Sequence, residues 1–359
     1  MPGRRLPAQP VDDSLCRRCQ TVEPAIVVRT EPLCRDCFSK YVQTKVVKRM
    51  ETFRVRNSEL GKVRKLLVPL SHDACSVGSL HILSHHLKGQ AEKTGRTGFK
   101  LCILRIDDEL AAADGQRDSS LATIQARYPE HEYRSAALSE VLSLDDLSSL
   151  FPDVSENRVE CASPRDRLLS ILNSSKSATG RQDTLQILRR KLVVQIAKRE
   201  ECEAVVWEDS TTKLAERTLA ETAKGRGFAL PWTVADGESP HGITFYYPLR
   251  ELLTKEIEAY ISFVEPPLDQ QLVNPEKPAT VSTKNMTIDD LMNQYFESVE
   301  RDYPSIVANV VRTTGKLKAA PLSQVEQQCE LCNIPLQGQS PEKSRLCYGC
   351  IRNIPQSTS

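Results

Sequence analysis

Apolar positions along the chain follow two alternating patterns. Short continuous runs read as strands buried on both faces. They fall at Leu66 to Leu70, Phe99 to Asp107, Ala204 to Trp207 and Gly242 to Leu249. Between and after them, apolar residues recur at helical spacing. One such stripe is Leu80, Ile82, Leu83 and Leu87. A second is Leu185, Leu188, Leu192, Val193 and Ile196, with Asp183 as its expected N-cap. A third runs through Leu214, Ala215, Leu219 and Ala223 and closes at Gly225. Two more helices are predicted over Arg250 to Phe263 and Ile288 to Val299. Strands alternating with helices predict an α/β fold, a parallel sheet with helices on both faces. Such sheets bind ligands at the carboxyl ends of their strands.

Residues 108–160 are polar and weakly periodic, with Leu138 to Leu150 offering a helix or short turns. Asn173 to Gly180 is a Ser-rich break, and Pro266, Pro267, Pro275 and Pro278 mark a linker over 265–285. The expected organisation is a tail over 1–15, a cysteine module and basic helix over 16–65, and an α/β domain over 66–264. After the linker, a helix and a second cysteine module occupy 286–355.

Composition narrows the class. A net charge of +1 gives no global polyanion or polycation signature. No apolar run approaches the roughly 18 residues of a membrane span, and the start Met1-Pro2-Gly3-Arg4-Arg5 lacks the apolar core of a secretory signal. A cytoplasmic protein is expected. Twelve cysteines then point to metal sites rather than disulfides.

Eight of those cysteines form two matched sets. Cys16, Cys19, Cys34 and Cys37 are two CxxC pairs fourteen residues apart, and Cys329, Cys332, Cys347 and Cys350 repeat that spacing. Each pair supplies two thiolates to a tetrahedral site, and four leave no open position, so about two structural zinc ions are expected. Redox CxxC motifs, or one site shared by both chain ends, are the alternatives. Cys75, Cys102, Cys161 and Cys202 remain outside the sets.

The run Leu66 to Leu70 leads through Ser71, His72, Asp73, Ala74, Cys75 and Ser76 into the first helical stripe. Strand, loop and helix in this order make an anion site, because free N–H groups at the helix start point at the ligand. A working phosphate loop needs glycine for close backbone approach. This loop has none, and Asp73 brings a negative charge. Cys75 lies near the helix start, which would lower its pKa and suit sulfur handling, unless it only fills a relaxed position. His81 and His85 stand four apart but lack the neighbouring glutamate of a metalloprotease, so a plain helix surface is expected.

Residues 40–65 carry a charge of +7, with Val42, Val46, Met50 and Phe53 at helical spacing. An amphipathic helix is predicted. Its polar face and flank, with Lys45, Lys48, Arg49, Arg54, Arg56, Lys62, Arg64 and Lys65, are candidates for a phosphate backbone. A merely solvated face is the alternative.

The order of these features resembles the PP-loop ATP-pyrophosphatase family, in the branch that thiolates tRNA, and within it the cytoplasmic tRNA 2-thiolation protein 2 family. The residues that carry the likeness are Cys16 to Phe38, Lys40-Tyr41-Val42, Glu208 to Ala215, Tyr247-Pro248-Leu249-Arg250 and the Cys329–Cys350 module. The resemblance implies an adenine nucleotide alpha hydrolase-like domain flanked by N- and C-terminal zinc modules. Active members carry Ser-Gly-Gly-x-Asp-Ser where this chain has Ser71 to Ser76, so both glycines and the aspartate are replaced. A later motif rich in His, Asn and Asp falls on Trp207 to Ala215, where its key residues are also replaced. The resemblance therefore implies a subunit without catalytic residues and without ATP. It would bind tRNA beside a catalytic paralogue, cytoplasmic tRNA 2-thiolation protein 1, with a thiocarboxylated ubiquitin-related modifier as sulfur donor. The product would be the 2-thio group on the wobble uridine of Lys, Glu and Gln tRNAs. Competing expectations are an ATP-dependent thiolase with an altered loop, and a zinc-module adaptor.

Overall fold

A computed structural model describes residues 12–59, 61, 64–108, 115–144, 147, 150–151, 163–273, 286–336 and 344–354. It opens with a two-stranded antiparallel hairpin, β1 (Ile26–Val28) and β2 (Glu31–Leu33), followed by helix α1 (Arg35–Arg49). The central sheet comprises β3 (Lys65–Leu70), β4 (Lys100–Asp107), β5 (Glu132–Ala137), β6 (Ala204–Val206), β7 (Gly237–Glu238) and β8 (Thr244–Tyr246). Their order is β5-β4-β3-β6-β8-β7. All neighbours are parallel except β7, which pairs antiparallel with β8 at the edge. The sheet is therefore mixed, although its parallel body is the one expected.

Helices α2 (Ala74–Thr94), α3 (Gly115–Arg127), α4 (Pro164–Ser174), α5 (Ala178–Arg199), α6 (Thr211–Ala223) and α7 (Thr254–Ser262) follow the strands. Two more, α8 (Ile288–Asp302) and α9 (Pro304–Thr314), lie against α6. Alternation along the strands divides the core. Leu66, Val68 and Leu70 face one layer with α1, α2 and α7, while Leu67, Cys102 and Val205 face the other with α5 and α6. Each cysteine module seals one layer: Cys16 and Cys34 join the first, and Cys329, Cys332, Cys347 and Cys350 join the second. Among the described residues no helix is long and apolar enough to cross a membrane.

Three expectations change. The Ser-rich break is short, because Ser177 caps α5 by accepting from the Gly180 N–H at 2.9 Å. Asp183 is therefore not a cap. It lies inside α5, buried against Arg226. The polar stretch 108–160 contains α3 and strand β5, which the pattern did not separate. The proline-marked segment begins by packing on the body: Leu268 and Gln271 are buried, and the Val273 N–H donates to the His72 carbonyl at 2.9 Å. Pro275 and Pro278 lie outside the described residues.

Candidate functional site: a filled anion loop and two cysteine centres

Strand β3, a three-residue loop and α2 form the arrangement expected near residue 70. His72 takes a left-handed backbone with φ 62, a position where glycine is ordinarily favoured. Its ring is buried, with Nδ1 2.7 Å from the Ser120 hydroxyl. Asp73 is the N-cap of α2, and its Oδ1 accepts from the Ser76 N–H at 2.8 Å. Its other oxygen is ion-paired with Lys213 on α6. The chain's own carboxylate thus takes the donor that a phosphate would use. Burial opposes the charge on both groups, yet each holds the other ionised. Asp73 is held below its usual range, and Lys213, paired with Asp73, above its own.

A cavity of about 530 Å³ opens at the carboxyl ends of β3, β4 and β6. Trp207, Glu208 and Asp209 line it beyond β6, and Gln186, Arg189 and Arg190 line it from α5. Lys213, Glu216 and Arg217 reach it from α6, and Asp289, Asp290 and Asn293 from α8. Its charges are largely matched internally. Arg217 donates twice to Asp209, at 2.7 and 3.0 Å, and Arg189 pairs with Asp108. Burial, reinforced by Asp73, keeps the Glu208 carboxyl well above its ordinary pKa. Burial likewise pushes Glu216 up to about 7. Arg190 lies over the Trp207 ring, 5.5 Å from its centroid. The walls from α5, α6 and α8 carried no motif of their own, and Lys213 entered the sequence reading only as part of the Glu208–Ala215 likeness.

Cys75 corrects one expectation. It is buried, and that burial pushes its thiol up to about 12, so the helix start does not yield a reactive thiolate. Cys102 and Cys202 are also buried, and Cys161 lies outside the described residues. His81 bonds the Tyr128 hydroxyl at 2.8 Å and is held down to about 4 by burial, so it is neutral and tied to a structural partner.

The two cysteine quartets are separate, and within each the four sulfurs lie within 4.8 Å of one another. No site is shared between the chain ends. The same knuckle is built twice. Gln20 and Asn333, each following a CxxC, adopt left-handed backbones with φ 53 and 58. Their N–H groups donate to the carbonyls of Cys16 and Cys329 at 2.9 and 2.8 Å. Cys34 and Cys347 then each stand at the start of a helix. Metal–sulfur bonds of about 2.3 Å in a tetrahedron place sulfurs roughly 3.8 Å apart. Cys19 and Cys34 are 3.8 Å apart, and Cys332 and Cys347 3.9 Å. Both quartets can hold a metal ion.

Only the first part of the basic stretch is in α1, which ends at Arg49; Glu51–Phe53 and Val55–Asn57 are 3-10 turns and Lys65 begins β3, while Val42, Val46, Met50 and Phe53 are all buried. Its cations are mostly engaged by the fold. Lys45 reaches Glu251 at 3.1 Å, and Arg49 pairs with Asp236. Arg64 grips Glu203 and covers the Phe53 ring, 4.3 Å from its centroid. Lys65 bridges Glu132 and Glu200 at 2.7 and 3.3 Å. Arg54 and Arg56 share the exposed Glu51, at 3.0 and 3.6 Å. Lys48 is exposed, with no ion pair among the described residues, and Lys62 lies outside them.

A largely parallel α/β sheet with a strand–loop–helix at its centre and a cysteine knuckle on each face defines an α/β domain flanked by two four-cysteine modules. The model of the family "Cytoplasmic tRNA 2-thiolation protein 2" matches residues 287–345. A protein of that name from Phaeosphaeria nodorum is 44% identical, covering 99% of this chain and 98% of its own. Another from Aspergillus clavatus is 36% identical, covering 99% of each. Among solved structures, the U34-tRNA thiolase NcsA from Methanococcus maripaludis with its [4Fe-4S] cluster superposes with a TM-score of 0.58. It is 14% identical, over 88% of this chain and 89% of that one, and shares the fold. The chain belongs to the cytoplasmic tRNA 2-thiolation protein 2 family.

Proposed function

We propose that this chain is the non-catalytic subunit of a cytosolic complex that 2-thiolates the wobble uridine of Lys, Glu and Gln tRNAs. A catalytic paralogue would activate the uracil oxygen, and a thiocarboxylated ubiquitin-related modifier would supply the sulfur. The names of the relatives support the tRNA 2-thiolation role and the cytoplasm as its location. The Asp73–Lys213 pair carries the non-catalytic part of the reading. A triphosphate entering the loop would face a carboxylate already bonded to Ser76, at a helix start where the fold otherwise invites an anion. Fold alone confers no activity, and a sheet with a filled loop still offers a surface to a partner.

In this reading each cysteine quartet holds one structural zinc. The modules over 16–65 and 286–355 flank the α/β body over 66–264. The exposed Lys48 and Arg56 and the half-exposed Arg54 give sequence-independent affinity for tRNA, while Lys45, Arg49, Arg64 and Lys65 are held by the fold's own acids. Titration of purified chain with Mg-ATP tests the loop directly. No binding heat at millimolar ATP is expected. Saturable binding lost on Ser76→Ala would instead make the chain an ATP-dependent thiolase with an altered loop.

A further inference from the structure

The C-terminal quartet is joined to the cavity by buried charges that the function above leaves unused. Arg226 is 2% exposed, sits just beyond α6, and donates from Nη1 toward the Cys350 sulfur at 3.9 Å. The same nitrogen donates to Asp183 at 2.8 Å, and Nε donates to Glu221 at 2.6 Å. Asp183 also accepts from Asn353, three residues beyond Cys350, at 2.6 Å. The knuckle is moulded to this guanidinium. A Cβ on Gly349 would lie 2.8 Å from Arg226 Nη1 and 2.9 Å from the Lys224 carbonyl, so only glycine fits between the last two ligands.

Lys224 continues the connection. Its ammonium is 3.0 Å from Asp183, 3.1 Å from Glu221 and 3.1 Å from Asp289. Asp289 stands in the first turn of α8 and lines the 530 Å³ cavity. Among the described residues, that end is also held by the Ile288 N–H, which reaches the Thr179 hydroxyl at 3.2 Å, and by Asn293, which reaches Glu216 at 3.5 Å. The N-terminal quartet has no such buried cation among the described residues. Its Cys19 and Cys37 are partly exposed, and the nearby Arg18–Glu31 pair is at the surface.

We infer that Arg226 is a positioning residue for the C-terminal metal centre, and that Lys224 couples occupancy of that centre to the placement of α8 over the cavity. The physical basis is charge. Four thiolates around a divalent ion carry a net charge of −2, and a buried guanidinium beside one sulfur offsets part of it while fixing that ligand's direction. Without the metal the four sulfurs lose the bonds that fix them, and the knuckle carrying Cys350 and Asn353 is free to shift. Asp183 would then lose Asn353, Lys224 would lose its fixed place, and α8 would lose its anchor at Asp289.

The inference rests on the quartets holding metal, so the test begins with the full-length wild-type chain. Metal content by plasma mass spectrometry should be two ions per chain; none would defeat the metal reading itself. Release to the chelator 4-(2-pyridylazo)resorcinol is then followed for Arg226→Met and Arg226→Lys. Outer-shell partners of metal ligands typically matter by about 10–100-fold. One of the two ions should leave at least about tenfold faster from Arg226→Met, with partial rescue by Arg226→Lys. Hydrogen exchange of residues 287–302 is read in parallel. Cys347→Ser and Lys224→Met should each deprotect that segment, Lys224→Met without faster metal loss, whereas Cys34→Ser should leave it unchanged. Wild-type release from a folded Arg226→Met, or wild-type protection of 287–302 in Cys347→Ser, would overturn the proposal. Should Arg226→Met fail to fold, the Cys347→Ser and Lys224→Met arms decide it.

Discussion

Asp183 shows how one side chain changes meaning between sequence and structure. Beside a serine-rich break it has the chemistry of a helix cap. Inside α5 it is the shared acid of Arg226 and Lys224, with 3% of its side chain exposed. Removing one member of a buried charge group leaves the others uncompensated. Asp183→Ala should therefore destabilise the protein by about 3–5 kcal/mol, read from denaturant midpoints at constant slope. Glu216 supplies a test of opposite character. Folding raises its pKa from 4.5 to about 7, so between those values the native state binds more protons than the unfolded chain. Its contribution to stability is thus lost as pH rises from about 5 to about 7. Glu216→Gln should flatten that decline and leave the variant more stable than wild type at pH 8. A stability profile identical to wild type from pH 5 to 8 would refute the assignment.

At the scale of elements, aromatic packing holds the turn that follows α1 to the sheet. Phe53 is 1% exposed and meets Phe99 and Tyr246 edge-on, with centroids 5.8 and 4.9 Å away. Phe53→Ala should cost about 3–5 kcal/mol, the usual range for deleting a buried aromatic. The cations around it separate by exposure. Replacing Lys48, Arg54 and Arg56 together by alanine should weaken tRNA binding and make its salt dependence shallower, with the thermal midpoint nearly unchanged. Arg64→Ala should do the reverse, lowering the midpoint with little change in the salt slope. These pairings were not legible in the chain, because the partners Glu203, Asp236 and Glu251 lie far from the basic run in sequence.

The elements that were legible share one property. Leu66 to Leu70 and Phe99 to Asp107 announced themselves because strands buried on both faces are continuously apolar. β5 lies at the sheet edge and buries only Ala136 among its six residues, so its pattern is nearly that of a loop. α3 buries Ser120 and Ile124, a stripe too narrow to read as amphipathic. The cysteine knuckles were the clearest signal, because metal geometry constrains spacing directly. The cavity walls were the least clear: α5, α6 and α8 meet there only through the fold, and no local spacing links Glu216 to Asn293.

Across the whole molecule, a knuckle closes each face of the sheet, and between them lies a strand–loop–helix whose helix start is capped by its own Asp73 carboxylate. The zinc reading predicts about two ions per purified chain, with chelation lowering the thermal midpoint. The family role is tested in cells. Bulk tRNA from cells lacking this chain is digested and its nucleosides weighed by mass spectrometry, with wild-type or Ser71→Ala/Ser76→Ala chains returned on a plasmid. The account predicts that the 2-thio group on wobble 5-methoxycarbonylmethyluridine disappears without the chain, and that both returned forms restore it, because the loop serines handle no ATP. Intact thiolation in the absence of the chain would contradict the account. So would restoration by wild type alone when both forms accumulate equally.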